Sequence, residues 1–390
     1  MTYRSLVSAA AALAAVLAVG GVVAPAHAEP TDPWVRAWGL NGSGVLGNGS
    51  TLDQQTPSSV RGIRRDDLRE LATGGGGTST DFAVALLKDG TVESWGANAN
   101  GQLGDGTTVN RPAPAAVAGL SGVSEVGAGN GFAAAVRGGR VWTWGVNASG
   151  QLGNGGAPDA PAVKPVLVQS LSKVTDIVLG CNHALALRQD GTVWSWGQNN
   201  SGQLGIGSLS DANTPKRVPG LTDIVALAAG CHHSLALTAD GTVKAWGRNT
   251  NGQLGNDSTE NSPSPVDVKL LEDVTALYGG WYQSFAVLND GGVRAWGANG
   301  SGQLGDGSTA DRTTPVPLPA LTGVQALSPG WKHTVAVLDD QSVVAWGDNT
   351  VGQLGDGTTT SSLSPVTALP PGSGTTRVPA ALPWRTSYAY

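Results

Sequence analysis

Two positions recur about every fifty residues with side chains that could bind a partner or form a covalent bond. The first position carries sulfur or indole side chains in five copies, Cys181, Cys231, Trp281, Trp331 and Trp384. The second carries polar, aromatic or charged side chains, Asn182, His232, Tyr282, Lys332 and Arg385. Aromatic and arginine side chains are the ones that most often anchor protein interfaces. We therefore predict a binding surface, called the candidate face, made of Asn182, His232, Trp281, Tyr282, Trp331, Lys332, Trp384 and Arg385. The alternative is that these rings only pack on one another.

The two cysteines occupy the same position in neighbouring repeats. Cys181 and Cys231 are the only cysteines of the chain, so one disulfide is permitted if the chain reaches an oxidising compartment. A disulfide needs Cα atoms roughly 4.4–6.8 Å apart. The spacing leaves open whether these two residues are bonded.

A third recurring position carries histidine in only some of its copies. Its occupants are Phe82, Phe132, His183, His233, Gln283, His333 and Thr386. Histidines in separate repeats do not converge as a metal site requires, so we predict that they form hydrogen bonds between repeats.

Asp-Gly loops follow at Asp105, Asp306 and Asp356, and such loops can hold calcium. Other copies replace the aspartate with asparagine or isoleucine, which favours ordinary turns. The sequence contains no nucleophile elbow, zinc signature or phosphate loop. We therefore predict no metal, no cofactor and no enzymatic activity.

Seven Trp-Gly pairs divide the chain into repeats of about fifty residues. They begin at Trp38, Trp95, Trp144, Trp196, Trp246, Trp296 and Trp346. Each pair opens the motif W-G-x-N-x-x-G-Q-L-G, with valine in place of glutamine in the first copy. Because a residue present in every repeat serves the scaffold, we predict that these tryptophans are structural and pack between adjacent repeats.

Each repeat predicts four short antiparallel strands. Residues 233–237 alternate as a strand does, Asp240-Gly241 is a hairpin signal, and residues 242–246 form the return strand. Residues 224–228 supply a third strand, and the Pro-containing segment 263–266 supplies a fourth at the sheet edge. Four short strands per repeat are typical of one β-propeller blade.

The two ends of the chain predict closure of the ring. Residues 34–38 are a return strand without its hairpin partner, whereas residues 378–390 are similar to residues 324–337. The C-terminus would then supply the two strands that the N-terminus lacks. The fold class is therefore all-β, a seven-bladed propeller of four-stranded antiparallel blades in which both ends share one blade.

The segment Gly230 to Gly255 reads GCHHSLALTADGTVKAWGRNTNGQLG. It resembles the regulator of chromosome condensation repeat family, and the resemblance covers about residues 34–390. It implies a seven-bladed propeller but little about function, because one fold hosts many activities. The eukaryotic founder of that family is a nuclear exchange factor for a small GTPase.

A second, more distant resemblance is to the propeller type of β-lactamase inhibitory protein. It is carried by the pattern G-x-x-H-S-x-A-L and by the N-terminal V-x-A-W-G strand. The resemblance implies a binding face built from the loops before each hairpin, which here carry Trp281, Tyr282, Trp331, Lys332 and Trp384. The repeats of that family are shorter and lack the long N-x-x-G-Q-L-G loop.

The first 28 residues have the pattern of a secretory signal peptide. Arg4 precedes a long apolar run, which ends at the small-x-small site Ala26-His27-Ala28. We predict cleavage after Ala28, secretion, and a mature chain of residues 29–390 that forms a single propeller without membrane insertion. The alternative is an uncleaved membrane anchor.

Composition narrows the choice of partner. The net charge is -6 and no Lys/Arg cluster is present, which argues against nucleic acid. We predict a secreted, monomeric, non-enzymatic scaffold that binds an extracellular protein or a glycan through the candidate face. The alternatives are an inhibitor of a bacterial enzyme such as β-lactamase, a guanine-nucleotide exchange factor-like regulator, and an extracellular lyase or glycosidase.

Overall fold

The computed structural model describes residues 33–77, 79–117, 119–379 and 383–390. The predicted signal peptide lies outside the described residues. Within the described ranges the chain folds as β-strands and turns. In the same ranges, no helix is long and apolar enough to cross a membrane.

The strands form seven antiparallel sheets, numbered here as blades 1 to 7. The first two strands, β1 (Trp34–Gly39) and β2 (Gln54–Arg64), belong to blade 7. Blade 1 contains β3 (Leu68–Gly74), β4 (Phe82–Leu87), β5 (Val92–Gly96) and β6 (Arg111–Ala116). Blade 2 contains β7 (Val123–Ala128), β8 (Phe132–Arg137), β9 (Arg140–Gly145) and β10 (Ala162–Leu167). Blade 3 contains β11 (Val174–Leu179), β12 (His183–Arg188), β13 (Val193–Gly197) and β14 (Ala212–Arg217).

The remaining blades follow the same order. Blade 4 contains β15 (Ile224–Ala229), β16 (His233–Thr238), β17 (Val243–Gly247) and β18 (Ser262–Asp267). Blade 5 contains β19 (Val274–Gly279), β20 (Gln283–Leu288), β21 (Val293–Gly297) and β22 (Arg312–Pro317). Blade 6 contains β23 (Val324–Pro329), β24 (His333–Leu338), β25 (Val343–Gly347) and β26 (Ser362–Leu369). The last strand, β27 (Thr386–Ala389), completes blade 7. The predicted seven-bladed all-β fold is confirmed.

Blade 4 illustrates how local sequence produces the sheet. Strands β16 and β17 pair with His233 opposite Gly247. At their turn, the Asp240 carboxylate accepts a hydrogen bond from the Thr242 N–H at 3.1 Å, and Gly241 has a φ of 84°. Glycine adopts this left-handed conformation without a Cβ clash. The Pro-containing strand β18 pairs only with β17 and is therefore the edge strand.

The core lies between blades. All seven repeat tryptophans are 0% exposed. Each indole N–H donates to a backbone carbonyl of the preceding blade; Trp246 Nε1, for example, lies 2.9 Å from the carbonyl oxygen of Gln203. Trp296 of blade 5 packs among Leu235 and Leu254 of blade 4. Apolar burial of this size is the main favourable term in folding, so the tryptophans hold neighbouring blades together.

Blade 7 joins the two ends of the chain. Strand β1 pairs with β27, and Arg36 lies opposite Ala389 and Trp38 opposite Ser387. His333 of blade 6 contacts Ser387 just as His233 contacts Ser284. This confirms the predicted sharing of one blade by both ends.

Among the described residues the C-terminus supplies one strand, β27, to blade 7. Residues 380–382, on which the second predicted strand falls, lie outside the described residues. The N–H groups of Thr376 and Arg377 donate to the Tyr390 carbonyl at 2.9 and 2.8 Å, so this segment lies beside β27 at the place of a fourth strand. The ladder does not extend further among the described residues.

Candidate functional site

The loops between the first and second strands of blades 2 to 7 meet at one end of the central axis. Backbone hydrogen bonds of 2.8–3.4 Å link them in a chain that we call the backbone belt. The donors are the N–H groups of Asn130, Cys181, Cys231, Trp281 and Trp331, and the acceptors are the carbonyls of Cys181, Cys231, Trp281, Gly330 and Pro383. The loops approach one another so closely that a Cβ on Gly230 would lie 2.6 Å from the carbonyl oxygen of Gly280. Glycine directly before the loop in blades 2 to 6 therefore permits the belt.

A disulfide reinforces the belt between blades 3 and 4. Cys181 and Cys231 are bonded, with their Cα atoms 4.4 Å apart. Both residues are buried, and the half-buried ring of Trp281 packs against them. The bond holds in place the loops that precede the aromatic part of the candidate face.

Four rings of the candidate face form a continuous surface over blades 5, 6 and 7, which we call the aromatic arc: Trp281, Tyr282, Trp331 and Trp384. The Trp331 and Trp384 rings stack at 5.5 Å and 26° between planes. The Trp281 ring lies 6.1 Å from Trp331 and 6.3 Å from Tyr282. All four side chains are half-buried, so the rings pack on one another and also present area to solvent.

Three cations lie over the aromatic arc. The Arg385 guanidinium is 5.0 Å from the Trp331 ring and 4.9 Å from the Trp384 ring. Lys332 Nζ lies 4.3 Å from the Trp331 ring, and the Arg248 guanidinium lies 5.0 Å from the Tyr282 ring. Such contacts are worth about 0.5–1 kcal/mol at exposed sites and about 2 kcal/mol when desolvated. Sequence reasoning missed Arg248, which occupies the variable position of the W-G-x-N motif in blade 4.

The other two residues of the candidate face lie to one side of the arc. The His232 ring stacks on Tyr282 at 6.2 Å. Burial, and then the charge of Arg248, lowers the pKa of His232 to about 4, so this ring is neutral near pH 7. Asn182 donates to Gln198 of its own blade at 3.4 Å and is not brought into the ring contacts.

Asp81 occupies the equivalent loop position in blade 1, and sequence reasoning missed it. One of its carboxylate oxygens accepts from the Gly77 N–H at 3.1 Å, while the other has no hydrogen-bond partner among the described residues. Burial raises the pKa of Asp81 to about 7, although hydrogen bonds and the charge of Arg385 oppose this. The sequence did contain a signal for Asp81. It directly precedes Phe82, which occupies in blade 1 the position that holds histidine in blades 3, 4 and 6.

An open groove of about 430 Å³ adjoins the aromatic arc. Tyr282, Trp331 and Lys332 line one side of it. Its other walls are mainly polar and include Asn251 and Asp311. The groove therefore offers a partner two rings together with several polar groups.

Family models match most of the repeats just described. The model of the regulator of chromosome condensation (RCC1) repeat matches residues 89–136, 138–187, 190–237, 240–287 and 290–337. A second model of the same repeat matches residues 174–203, 224–253 and 324–353. This chain belongs to the RCC1 repeat family.

Curated relatives of this RCC1 propeller are similar to about half of it. The human E3 ubiquitin-protein ligase HERC2 is 34% identical over 197 residues, which are 49% of this chain and 4% of the ligase. The ultraviolet-B receptor UVR8 of Arabidopsis thaliana is 33% identical over 188 residues, which are 47% of this chain and 41% of the receptor. The chain thus spans less than half the length of either relative.

Solved structures share the RCC1 fold over nearly the whole chain. Human WBSCR16 superimposes with a TM-score of 0.79 at 23% identity, covering 91% of this chain and 98% of that one. Prp20p from Saccharomyces cerevisiae superimposes with a TM-score of 0.78 at 21% identity, covering 91% of this chain and 90% of that one. Identity this low shows the fold alone.

The repeat histidines of this RCC1 propeller lie in three different interfaces between blades. The Nε2 atoms of His183, His233 and His333 lie 2.9–3.0 Å from a serine hydroxyl of the next blade. Gln283 holds the same position and donates to the Gly330 carbonyl at 2.7 Å. Burial lowers the pKa of His233 to about 3. The histidines therefore stay neutral and join blades.

The Asp-Gly loops are closed turns. Asp306 accepts from Asn299 Nδ2 at 2.9 Å and from the Ser308 hydroxyl at 2.8 Å, and it pairs with Arg312 at 2.6 Å. Hydrogen bonds to Thr107 and Asn98 and the charge of Arg111 similarly lower the pKa of Asp105 against its partial burial. Over the described part of the chain, no three His, Cys, Asp or Glu side chains are arranged to hold a metal ion.

A half-buried carboxyl lies on the inner strand of blade 1. Glu70 accepts from the Val126 N–H at 3.2 Å. Burial and the charge of Asp176 raise the pKa of Glu70, while the Val126 hydrogen bond lowers it. Glu70 lies on an inner strand, outside the loops of the candidate face.

Proposed function

We propose that this RCC1 propeller is a secreted, non-enzymatic scaffold that binds a partner protein through the aromatic arc and its flanking cations. The observation that carries the proposal is the arc itself, with four half-buried rings side by side on consecutive blades. Tryptophan, tyrosine and arginine are the side chains that most often dominate binding energy in protein interfaces. The backbone belt and the disulfide hold these side chains in place before a partner arrives, which reduces the entropy lost on binding.

Proteins of the same fold support a binding role. The Prp20p structure was reported with its binding to Gsp1p and histones, and another structure holds Kap60 bound to yeast RCC1. The ligase activity in the name of HERC2 is not proposed for this chain, because the match spans 4% of that protein. Secretion rests on the signal-peptide pattern of residues 1–28.

Capture experiments with the mature chain test the proposal. Residues 29–390 would be immobilised and exposed to the secreted and surface proteins of the source culture, beside a Trp281→Ala/Trp331→Ala variant. We expect the parent to retain a partner that the variant loses by about a hundredfold or more in affinity, since each hot-spot residue contributes about 2 kcal/mol or more. The matched control is Trp142→Ala/Trp194→Ala, which removes two partly buried tryptophans that contact the cores of other blade interfaces.

The outcomes separate the candidate functions. Equal retention by parent and Trp281/Trp331 variant would place the site elsewhere on the molecule. Retention of a β-lactamase, with loss of its activity, would make the chain an inhibitor, and retention of a small GTPase would favour an exchange-factor role. If no protein is retained but a polysaccharide is cleaved, the chain is an enzyme and the scaffold proposal fails.

Secretion has its own measurement. N-terminal sequencing of the protein recovered from culture medium should begin at Glu29, directly after the small-x-small site. Recovery only from the membrane fraction, with residues 1–28 intact, would support the uncleaved-anchor alternative.

A further inference from the structure

Within the part of the chain that the structure describes, the three cations of the aromatic arc have no ion-pair partner. Arg248, Lys332 and Arg385 each contact a ring, but none pairs with a carboxylate among the described residues. Elsewhere in the described chain several cations are paired, as Lys244 is with Asp267 at 2.5 Å. The arc therefore concentrates unpaired positive charge in a chain whose net charge is -6.

None of the described acidic side chains near the arc forms an ion pair with these cations. Asp348 accepts from Gln353 Nε2 at 2.6 Å, and Asp311 accepts from Asn251 Nδ2 at 2.8 Å. Both carboxylates are thus held by amides and not by the cations. Asp81 is buried, and its pKa of about 7 leaves it only partly ionised near neutral pH.

We propose that the partner presents an acidic segment, with aspartate or glutamate side chains beside an apolar anchor, to the aromatic arc. This inference rests on the proposed function and names the chemistry of its partner. Partner carboxylates would pair with Lys332, Arg385 and Arg248, while the anchor packs against the rings. Complementary charge of this kind sets specificity and association rate.

The groove beside the arc gives the acidic segment a place to lie. Lys332 lines the groove together with Tyr282 and Trp331. Its volume of about 430 Å³ lies in the range of ordinary binding sites. A carboxylate in the groove would meet the Lys332 ammonium group and two rings, and the Asp311 carboxylate, which also lines the groove, would favour its binding on the Lys332 side.

Nucleic acid fits these observations less well than an acidic peptide. A single strand needs open ring faces for its bases and a basic track for its phosphates. Here Trp331 and Trp384 already stack on each other at 5.5 Å, and the cations are confined to one arc of an acidic chain. A peptide carboxylate, in contrast, can bind to the few cations of the arc without a longer basic track.

The test measures binding of a glutamate-rich peptide carrying two tryptophans, its isosteric glutamine counterpart, and single-stranded oligo(dT). We expect the glutamate peptide to bind at least about tenfold more tightly than the glutamine peptide at low salt, with the difference shrinking as salt screens the charges. Lys332→Gln and Arg385→Gln should each remove most of that difference. The matched control is Lys216→Gln, which removes an equal charge from an exposed residue of β14 in blade 3. This control should leave the difference in affinity between the two peptides unchanged.

Several results would overturn the inference. They are equal binding of the two peptides, preference for oligo(dT), or an equal effect of Lys216→Gln and Lys332→Gln. The melting midpoint of each variant shows whether a loss of binding is due to unfolding. Lys332→Gln and Arg385→Gln change different side chains, so each tests the inference independently of the other. If the parent self-associates and Lys332→Gln abolishes this, a second copy of the chain occupies the aromatic arc. That result would also overturn the inference.

The inference and the proposed function can fail separately. If a partner is captured through Trp281 and Trp331 but its affinity is insensitive to salt and to Lys332→Gln, the scaffold stands and the acidic-segment inference falls. If the glutamate peptide binds as expected but the culture yields no captured protein, the charged site stands and the secreted scaffold loses its support.

Discussion

Asp81 is a buried carboxyl whose ionisation makes stability depend on pH. Its folded pKa of about 7 exceeds the value of about 3.9 expected in an unfolded chain. The folded state therefore binds more protons between these values, and the stabilisation by the protonated form is complete below about pH 4 and lost as the pH rises through about 7. Because asparagine cannot ionise, the Asp81→Asn variant should not lose this stability as the pH rises.

We expect the free energy of unfolding of the parent, relative to Asp81→Asn, to fall by about 2–3 kcal/mol between pH 5 and pH 8. Urea unfolding of both proteins at the two pH values measures it. Glu70, whose pKa is also raised by burial, is present in both proteins and cancels. Parallel pH profiles would mean that Asp81 stays ionised in the folded state.

The contribution of His233 to stability depends on pH in the opposite direction. Burial, followed by the charge of His232, holds the pKa of His233 at about 3, below its unfolded value of about 6.5. The neutral form stabilises the fold fully above pH 6.5, and this contribution is lost as the pH falls towards 3. Because Gln283 occupies the same position in blade 5, glutamine should fit in blade 4 as well.

The His233→Gln variant should therefore resist acid. Between pH 7.5 and pH 4.5 we expect it to lose about 2–3 kcal/mol less stability than the parent. Urea midpoints at both pH values provide the measurement, and His183→Gln, in the equivalent position of blade 3, is the matched second copy. Equal acid sensitivity of parent and variants would contradict neutral, buried histidines.

The disulfide acts on the element scale, because it ties blade 3 to blade 4 where their inner loops meet. Cys181→Ala/Cys231→Ala should destabilise the chain by roughly 2–5 kcal/mol, since the bond closes a long loop in the unfolded state. Thermal unfolding measures the loss, and reduction of the parent should reproduce it. An unchanged midpoint in both cases would show that the backbone belt alone holds these loops.

Ring closure belongs to the whole molecule. Deletion of residues 383–390 removes β27, leaves β1 without its inner partner and opens the ring between blades 6 and 7. Exposed strand edges favour association between chains. We expect loss of a single cooperative transition and a tendency to aggregate, measured by calorimetry and light scattering.

A circular permutant provides the control for ring closure. It joins Tyr390 to Pro33 through an Asp-Gly turn and places the new ends at the exposed Leu270, between blades 4 and 5. All seven blades remain intact, so it should unfold cooperatively. A truncated chain that unfolds like this permutant would show that closure through β27 is dispensable.

The number of blades, their strands and their ring closure could be predicted from sequence because the signals are local and repeated. Trp-Gly pairs, Asp-Gly turns and edge prolines each act through a few neighbouring residues, and seven copies remove the ambiguity of any single one. At the degenerate C-terminus the described residues confirm the sharing of blade 7 through β27, while the second predicted strand falls on residues 380–382, outside the described residues.

The candidate face was also predictable only where its signals repeat along the chain. Comparison of repeats was enough to place Trp281, Trp331 and Trp384 at equivalent positions, since repeat number determines which blade carries each. Only the tertiary structure decided that Cys181 bonds Cys231, that Arg248 lies over Tyr282, and that Asp81 is buried. These facts depend on distances of a few ångströms between different blades, which are set by how the blades pack around the axis and not by any pattern within one repeat.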